Sequence, residues 1–176
     1  MKIDFAQPAD AGAIVQLVNA AYRGGGDRAG WTDETSLIAG PRAGASDILF
    51  LMRSAATHIL VARSDNGRNL LGCVCVEKTD DVCTISMLAV DPAQQSGGFG
   101  KAVLDGAEQF AIKHRCRTAK MTVIRQRTTL IAWYERRGYR PTGETEAFPY
   151  GNDRVGKPLR DDLEFVVLKK ALDLTR

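Results

Sequence analysis

The stretch "VDPAQQSGGFGKAVLDGAEQFA", residues 90–111, changes character three times within a short span. An apolar strand ends at Val90, and the loop after it carries three glycines in four positions. A helix then begins, and it stacks Val103, Leu104, Ala107 and Phe110 on one side. Glycines let backbone N–H groups approach a ligand closely, and a helix N-terminus adds unpaired N–H groups and about half a positive charge. The stretch therefore predicts a strand–loop–helix unit that can bind an anion such as a phosphate.

Two common phosphate-binding patterns do not fit this loop. A Walker A loop needs glycine five residues before its Gly-Lys pair and Ser or Thr after it, but Gln95 and Ala102 stand there. A dinucleotide fingerprint that starts at Gly98 needs its last glycine where Val103 stands. The pattern that does fit is Gln-x-x-Gly-x-Gly, spread over residues 95–100.

Periodicity along the rest of the chain predicts a mixed α/β sheet. Before the glycine loop, the sequence predicts a strand at "KIDFA", a helix after Pro8, a short helix at "WTDETSLIAG" capped by Thr32, a helix at "SDILFLMRSA" capped by Ser46 or Asp47, and a three-strand antiparallel meander that ends at Val90. After the loop it predicts a helix from about Gly98 to Lys113, a strand at "AKMTVI", a helix at "TTLIAWYERRG" closed by Gly138, and a final strand at "LEFVVLKKAL" whose partner lies near "YRPTGE".

Length and composition indicate one globular domain over residues 1–176. The formal charge of +3 comes without a dense basic stripe, so we expect no nucleic-acid partner. No apolar run approaches the roughly 20 residues of a membrane span, and no signal-peptide core is visible. Cys73, Cys75 and the neighbouring-strand Cys83 lack the spacing of a zinc knuckle. We therefore expect buried free thiols, no metal and a cytoplasmic location.

Two motifs carry a family resemblance. The pattern "QSGGFG" at residues 95–100 follows "MLAVDP", and the stretch "LIAWYERRGY" at residues 130–139 lies about 35 residues further on. In both respects the chain resembles the GNAT superfamily of N-acetyltransferases, whose members bind acetyl-CoA. The resemblance implies an α/β (mixed α+β) GNAT-like acyl-CoA N-acyltransferase fold with the order β-α-α-β-β-β-α-β-α-β-β.

The resemblance also implies where acetyl-CoA binds. The N–H groups of Gln95, Ser96, Gly97, Gly98, Phe99 and Gly100 would hold the pyrophosphate, with Lys101 as a nearby cation. The backbone of Leu88, Ala89 and Val90 would pair with the pantetheine arm in the gap between two splayed strands, and one N–H there would polarise the thioester carbonyl. Tyr134 matches the family tyrosine that gives a proton to the departing thiolate, and an ordinary phenol is protonated at neutral pH.

Two positions depart from the family pattern. Many members carry Asn seven residues before that tyrosine, and here Arg127 could contact the cofactor as a cation instead. Some members carry a strand glutamate that acts as general base, and here Thr84 occupies its position. Glu77, on the adjacent strand, is a candidate substitute; otherwise water carries the proton, or the amine arrives neutral.

The acceptor pocket is expected where the helix 1–2 region meets the late loop. Candidate walls are Trp31, Asp33 and Glu34 in "RAGWTDE" and Phe148 and Tyr150 in "EAFPYGNDR", although a capped exposed helix explains the acidic pair equally well. The predicted function is acetyl transfer from acetyl-CoA to a primary amine of a small molecule in a ternary complex. A protein N-terminus or lysine as acceptor, and a non-catalytic acyl-CoA sensor, are the alternatives. An exposed final strand would allow a homodimer.

Overall fold

The computed structural model describes residues 1–25, 30–67, 69–152 and 155–175, and of Gln95 and Ser96 it describes the backbone alone. The elements of these residues follow one another as β1 (Lys2–Phe5), α1 (Ala11–Arg23), β2 (Ile38–Ala39), α2 (Ala45–Arg53), β3 (Thr57–Arg63), β4 (Leu70–Thr79), β5 (Val82–Val90), α3 (Phe99–Lys113), β6 (Thr118–Ile124), α4 (Thr128–Glu135), β7 (Arg140–Ala147), β8 (Lys157–Pro158) and β9 (Glu164–Ala171). Short 3₁₀ helices, Pro8–Asp10 and Pro92–Gly97, lead into α1 and α3.

Seven strands form one sheet in the order β1-β3-β4-β5-β6-β9-β7. Neighbouring strands are antiparallel except β5 and β6, which run parallel because α3 crosses over between them. The strands β2 and β8 pair with each other as a separate two-residue ribbon. The predicted mixed α/β sheet and its element order are therefore confirmed, with β2 and β8 as additions.

Helices cover both faces of the sheet because each helix carries an apolar stripe. On one face, α3 and α4 bury Val103, Leu104, Ala107, Leu130 and Tyr134 against the sheet. On the other face, α1 and α2 bury Ile14, Leu17, Val18, Ala21 and Ile48. A third apolar cluster joins Ile38, Ile124, Phe148 and Leu163 beside the two-residue ribbon. Among the described residues, no helix is long and apolar enough to cross a bilayer.

The predicted helix at "WTDETSLIAG" is wrong. Its polar side chains hold the end of α1 instead of capping a new helix: the Thr32 hydroxyl donates to the Ala21 carbonyl at 3.0 Å, and the Asp33 carboxylate accepts the N–H of Gly25 at 2.9 Å. The N–H of Glu34 also donates to the carbonyl of Tyr22. The segment therefore forms turns that end in β2.

Two further expectations need correction. The cap of α2 is Gly44, and Asp47 lies inside the first turn, where its carboxylate accepts the Gly44 N–H at 2.9 Å. The final strand β9 is bonded to β6 on one side and β7 on the other, so it offers no free edge for a second chain. The edge strand there is β7.

The four cysteines are buried and free, as expected. Cys73 and Cys75 face α1 and α2, whereas Cys83 and Cys116 belong to the cluster on the α3 side. The thiols of β4 and β5 thus lie on opposite faces of the sheet. Within the described ranges, no three His, Cys, Asp or Glu residues come together as a metal site.

Candidate active site

A wedge opens in the middle of the sheet between β5 and β6. In the part of the chain that the structure describes, these strands pair only over 82–84 with 118–120, and they diverge beyond that point. The stretch from Ile85 to Val90 therefore keeps one edge of backbone groups turned toward the opening. This is the splayed edge at which the resemblance places the pantetheine arm.

A β-bulge reshapes β5 at this wedge. Its register with β4 shifts between Ser86 and Ala89, and Met87 adopts a φ of 52°, which is rare for a residue with a side chain. The bulge reverses the alternation of the strand, so that Leu88 and Val90 face α3 while Met87 faces α1. The Leu88 carbonyl accepts a hydrogen bond from the Tyr22 hydroxyl at 3.0 Å. The backbone of β5 is thereby fixed in place next to the opening.

The N-terminus of α3 points to the same region. Gly98 precedes the helix with a φ of 76°, a left-handed conformation that favours glycine. A Cβ added at Gly100 would lie 2.9 Å from the Trp31 ring, so this glycine lets the ring pack directly against the first turn of α3. Lys101 is exposed and pairs with Asp105 at 2.6 Å. The first N–H groups of the helix have no intrahelical acceptor and can bind an anion.

The two tryptophans lie against this helix start. The rings of Trp31 and Trp133 stack with centroids 4.6 Å apart. The Arg137 guanidinium carbon lies 3.4 Å from the centroid of the Trp133 ring, a cation–π contact. The structure thus places Trp31 beside α3 and α4, and not in the acceptor cavity for which the sequence suggested it. Trp133 is partly buried against the main core.

Tyr134 lies on the buried side of α4, 6 % exposed. Its hydroxyl forms no hydrogen bond with another described residue. Burial raises the pKa of Tyr134 far above its usual value, Tyr22 raises it further, and Arg127 lowers it. Burial also raises the pKa of Tyr22 to about 12. Both phenols are therefore protonated at neutral pH, and the Tyr134 hydroxyl remains available as a donor.

A cavity of about 180 Å³ adjoins the wedge on the α1 side. Six parts of the fold surround it: the end of α1, the α1–α2 connection, the bulge of β5, the end of β6, the start of α4 and the β7–β9 connection. Its lining residues are Tyr22, Glu34, Ile38, Arg42, Ser86, Met87, Thr122, Val123, Ile124, Arg127, Leu130, Phe148, Val155 and Phe165.

Buried charges form one side of this cavity. Glu34 and Arg127 have side chains 6 % and 8 % exposed, and Arg23 behind them is 8 % exposed. The Glu34 carboxylate binds Arg23 at 2.5 Å and lies 3.5 Å from the Arg127 guanidinium. Arg127 also donates to the Trp31 carbonyl at 2.9 Å. These contacts tie the α1–α2 connection to the start of α4.

The structure brings some of the predicted residues to the cavity and leaves others outside it. Glu34 and Phe148 line it, and Phe148 is 4 % exposed. Tyr150 lies outside, where its hydroxyl donates to the Arg160 carbonyl and accepts the Leu163 N–H, and its ring braces Phe148 edge-on. Asp33 holds a turn, as described above.

Two predicted roles receive no support from the geometry. Glu77 pairs with Thr84 across β4 and β5 but is exposed and does not line the cavity, so the structure does not bring a substitute base to the site. Arg127 lies among the acceptor-side residues, bound to Glu34 and Trp31, and so is committed to that wall and not to a cofactor contact.

Three lining residues of the cavity, Tyr22, Arg42 and Ser86, and Arg23 behind them were not predicted from the sequence. They come together through contacts between distant segments, such as Tyr22 with Leu88. One sequence signal was available, because Tyr22 and Arg23 stand directly before a glycine run at the end of an amphipathic helix. The polar end of such a helix is a position at which functional side chains often occur.

The strand–glycine loop–helix unit and the "LIAWYERRGY" helix lie within the span matched by one family model. The model of the acetyltransferase (GNAT) family matches residues 16–139. The chain belongs to the GNAT family. This protein is thus a GNAT-type N-acetyltransferase, and its family implies an acyl-CoA co-substrate. No curated protein sequence matches the chain significantly.

Solved structures of distant sequence share this GNAT fold. The ribosomal-protein-S18-alanine N-acetyltransferase from Escherichia coli superposes with a TM-score of 0.71 at 15% identity, over 99% of this chain and 96% of that chain. The IAA acetyltransferase from Bacillus cereus gives 0.68 at 16% identity, over 97% and 99%. A chimera of the spermidine N-acetyltransferase SpeG from Vibrio cholerae gives 0.69 at 11% identity, over 97% and 96%. At such identities the likeness concerns the fold.

Proposed function

We propose that this N-acetyltransferase transfers the acetyl group of acetyl-CoA directly to a primary amine of a small molecule, with both substrates bound together. The observation that carries the proposal is the cavity of about 180 Å³ that adjoins the splayed edge of β5. Sites for drug-sized ligands usually measure about 300–1,000 Å³. A cavity below that range suits a small acceptor and brings its amine to the strand edge where the thioester would lie.

The cofactor side of the proposal rests on the start of α3. The N–H groups of residues 95–100 would bind the pyrophosphate, because Gly98 is exposed, with open space where a Cβ would stand, and the helix dipole favours an anion. The backbone of Leu88, Ala89 and Val90, beyond the point where β5 pairs with β6, would pair with the amides of the pantetheine arm in the manner of an added strand. An N–H of this edge would polarise the thioester carbonyl.

The chemistry requires one bond to form and one to break. The neutral amine attacks the thioester carbon, the new C–N bond forms, and the C–S bond breaks as the thiolate departs. Tyr134 would donate its phenolic proton to that sulfur, since its hydroxyl is uncommitted and its neighbours Tyr22 and Arg127 border the acceptor cavity, and the phenolate would regain a proton from solvent before the next turnover. The attacking amine releases its proton to water, because no free carboxylate of the described residues lines the cavity.

Release of free thiol from acetyl-CoA is the direct test. Purified protein is incubated with acetyl-CoA and pooled amines that include polyamines, amino acids, aminoglycosides and peptides with free N-termini. We expect thiol release that matches the formation of an acetylated small amine, as measured by mass spectrometry. Turnover of peptides alone would identify a protein acceptor, and acetyl-CoA binding without any turnover would identify a sensor. A faster reaction with a longer acyl-CoA than with acetyl-CoA would show that the longer acyl-CoA is the donor.

A further inference from the structure

The cavity carries an excess of positive charge among the described residues around it. Its lining includes one carboxylate, Glu34, and two guanidinium groups, Arg42 and Arg127. Arg23 and Arg127 already compensate the carboxylate, at 2.5 and 3.5 Å. Arg42 forms no ion pair with any described carboxylate, so its charge is available to a ligand.

Arg42 is fixed in position by its backbone and by an aromatic ring. The Asn19 side-chain carbonyl accepts the N–H groups of Arg42 at 2.6 Å and Ala43 at 3.3 Å, and its amide donates to the Ala43 carbonyl at 2.9 Å. The guanidinium lies over the Tyr22 ring, 5.4 Å from its centroid. The fixed backbone and the ring contact restrict the positions open to the guanidinium before a ligand arrives, which reduces the entropy lost on binding.

The other walls of the cavity are apolar. Aliphatic and aromatic side chains from β2, α4, the connection after β7, and β9 form them: Ile38, Leu130, Phe148, Val155 and Phe165. Phe148 and Phe165 stack with centroids 5.6 Å apart, so this wall presents a continuous ring surface. A molecule that fills the cavity therefore meets a cation at one side and an apolar wall at the other.

We propose that the acceptor is a small amine that also carries a carboxylate and an apolar group, as an apolar α-amino acid does, and that Arg42 binds the carboxylate. This inference rests on the proposed function. A guanidinium matches a carboxylate with two parallel hydrogen bonds, which a point charge cannot do. The same positive charge disfavours polyamines and aminoglycosides, because each brings further cations into a site without a free carboxylate.

The charge of the site also affects the reacting amine. A nearby like charge disfavours the protonated form of an amine and so lowers its pKa. Arg23 and Arg127 outnumber the Glu34 carboxylate that they bind, and the remaining positive charge would therefore increase the fraction of acceptor that arrives as the neutral nucleophile. This effect supplies the reactive amine in a cavity where Thr84 and the exposed Glu77 provide no buried base.

Three acceptors that share the same apolar side chain test the proposal: leucine, leucinamide and 3-methylbutylamine. Only leucine carries a carboxylate. We expect kcat/KM for leucine to exceed both others by roughly 10- to 100-fold, the value of one hydrogen-bonded ion pair. Arg42→Gln should remove most of this preference, and Arg42→Lys should restore part of it. Arg53→Gln, which makes the same charge change on the exposed surface of α2, is the matched control and should keep the full preference. Equal or faster acetylation of leucinamide and 3-methylbutylamine, which lack the carboxylate, would overturn the proposal.

A binding experiment separates this inference from the proposed function. Calorimetry in the presence of coenzyme A compares the binding affinities of N-acetylleucine and N-acetylleucinamide. Both compounds are already acetylated, so the measurement needs no reaction. Carboxylate-dependent binding that is lost in Arg42→Gln, without turnover of any amine, would support the site and contradict the proposed function. Acetylation of other amines without binding of N-acetylleucine would overturn the site and leave the proposed function standing.

Discussion

Replacing Tyr134 by Phe should lower kcat without lowering stability. The variant keeps the ring and its edge-on contacts with Trp133 and Tyr139, whose centroids lie 5.0 and 5.8 Å away. The hydroxyl that it removes has no hydrogen-bond partner among the described residues. No hydrogen bond to a described residue is lost with it, so its removal should change the free energy of unfolding by less than about 1 kcal/mol.

The expected kinetic loss follows from the role proposed for that hydroxyl. A general acid contributes about 10²- to 10⁴-fold, so kcat for acetyl-CoA should fall within that range while the affinity for acetyl-CoA barely changes. The loss should shrink with an acyl donor whose leaving thiol is more acidic, because that thiolate needs less protonation. Urea unfolding and single-turnover kinetics measure the two effects separately.

Tyr139 supplies the matched control. It is fully buried like Tyr134, but its hydroxyl donates to the Glu108 carboxylate at 3.0 Å, and Lys170 binds the same carboxylate at 2.7 Å. Tyr139→Phe should therefore cost about 1.5 to 3 kcal/mol of unfolding free energy, the worth of a hydrogen bond to a charged group, and leave kcat nearly unchanged. Full kcat in Tyr134→Phe, under conditions where chemistry limits the rate, would refute the reasoning and make Tyr134 a packing residue.

Three further variants examine other parts of the site. Gly98→Val should weaken acetyl-CoA binding by roughly tenfold or more in calorimetry, because a branched residue is strained at a φ of 76° and its side chain blocks the phosphate. The control is Gly67→Val, at a φ of 71° in the open hairpin turn, which should cause the same backbone strain without the loss of affinity. Glu77→Gln should keep most of kcat/KM, since loss of a general base would cost about a hundredfold or more, and a loss of that size would make Glu77 the base. Acetyl-CoA should change the near-ultraviolet circular dichroism of the stacked Trp31 and Trp133, the two tryptophans of the chain, and Trp31→Phe should abolish this change. An unchanged wild-type spectrum at saturating acetyl-CoA would place the cofactor elsewhere.

Local patterns predicted the fold because local chemistry determines it. The glycine loop located the start of α3 to within one residue, since Gly98 adopts the left-handed conformation that stops the preceding 3₁₀ helix. The partner of the final strand was also found, at β7. The helix predicted after Trp31 failed because capping residues there bind the end of α1 instead, and a single sequence cannot distinguish those two uses of Thr32 and Asp33.

The acceptor side of the site was less predictable because it depends on contacts across the fold. Nothing near Met87 in the sequence signals a positive φ, yet the bulge there decides which residues of β5 face the cavity. Arg42 stands in an ordinary loop, and its position depends on Asn19 of α1. Glu34 and Phe148 were found because acidic and aromatic residues in irregular segments are themselves a signal.

The two departures from the family pattern belong to one electrostatic arrangement. Arg127 stands where many family members carry an asparagine and binds Glu34, so the carboxylate of this cavity already has two guanidinium partners. Thr84 leaves the usual base position without a carboxylate. A cationic acceptor would meet repulsion here and would find no base to deprotonate it. An acceptor with its own carboxylate supplies a partner for Arg42, and its amine reaches the thioester in surroundings that favour the neutral form. The threonine at the usual base position and the arginine without a carboxylate partner among the described residues therefore favour the same class of substrate.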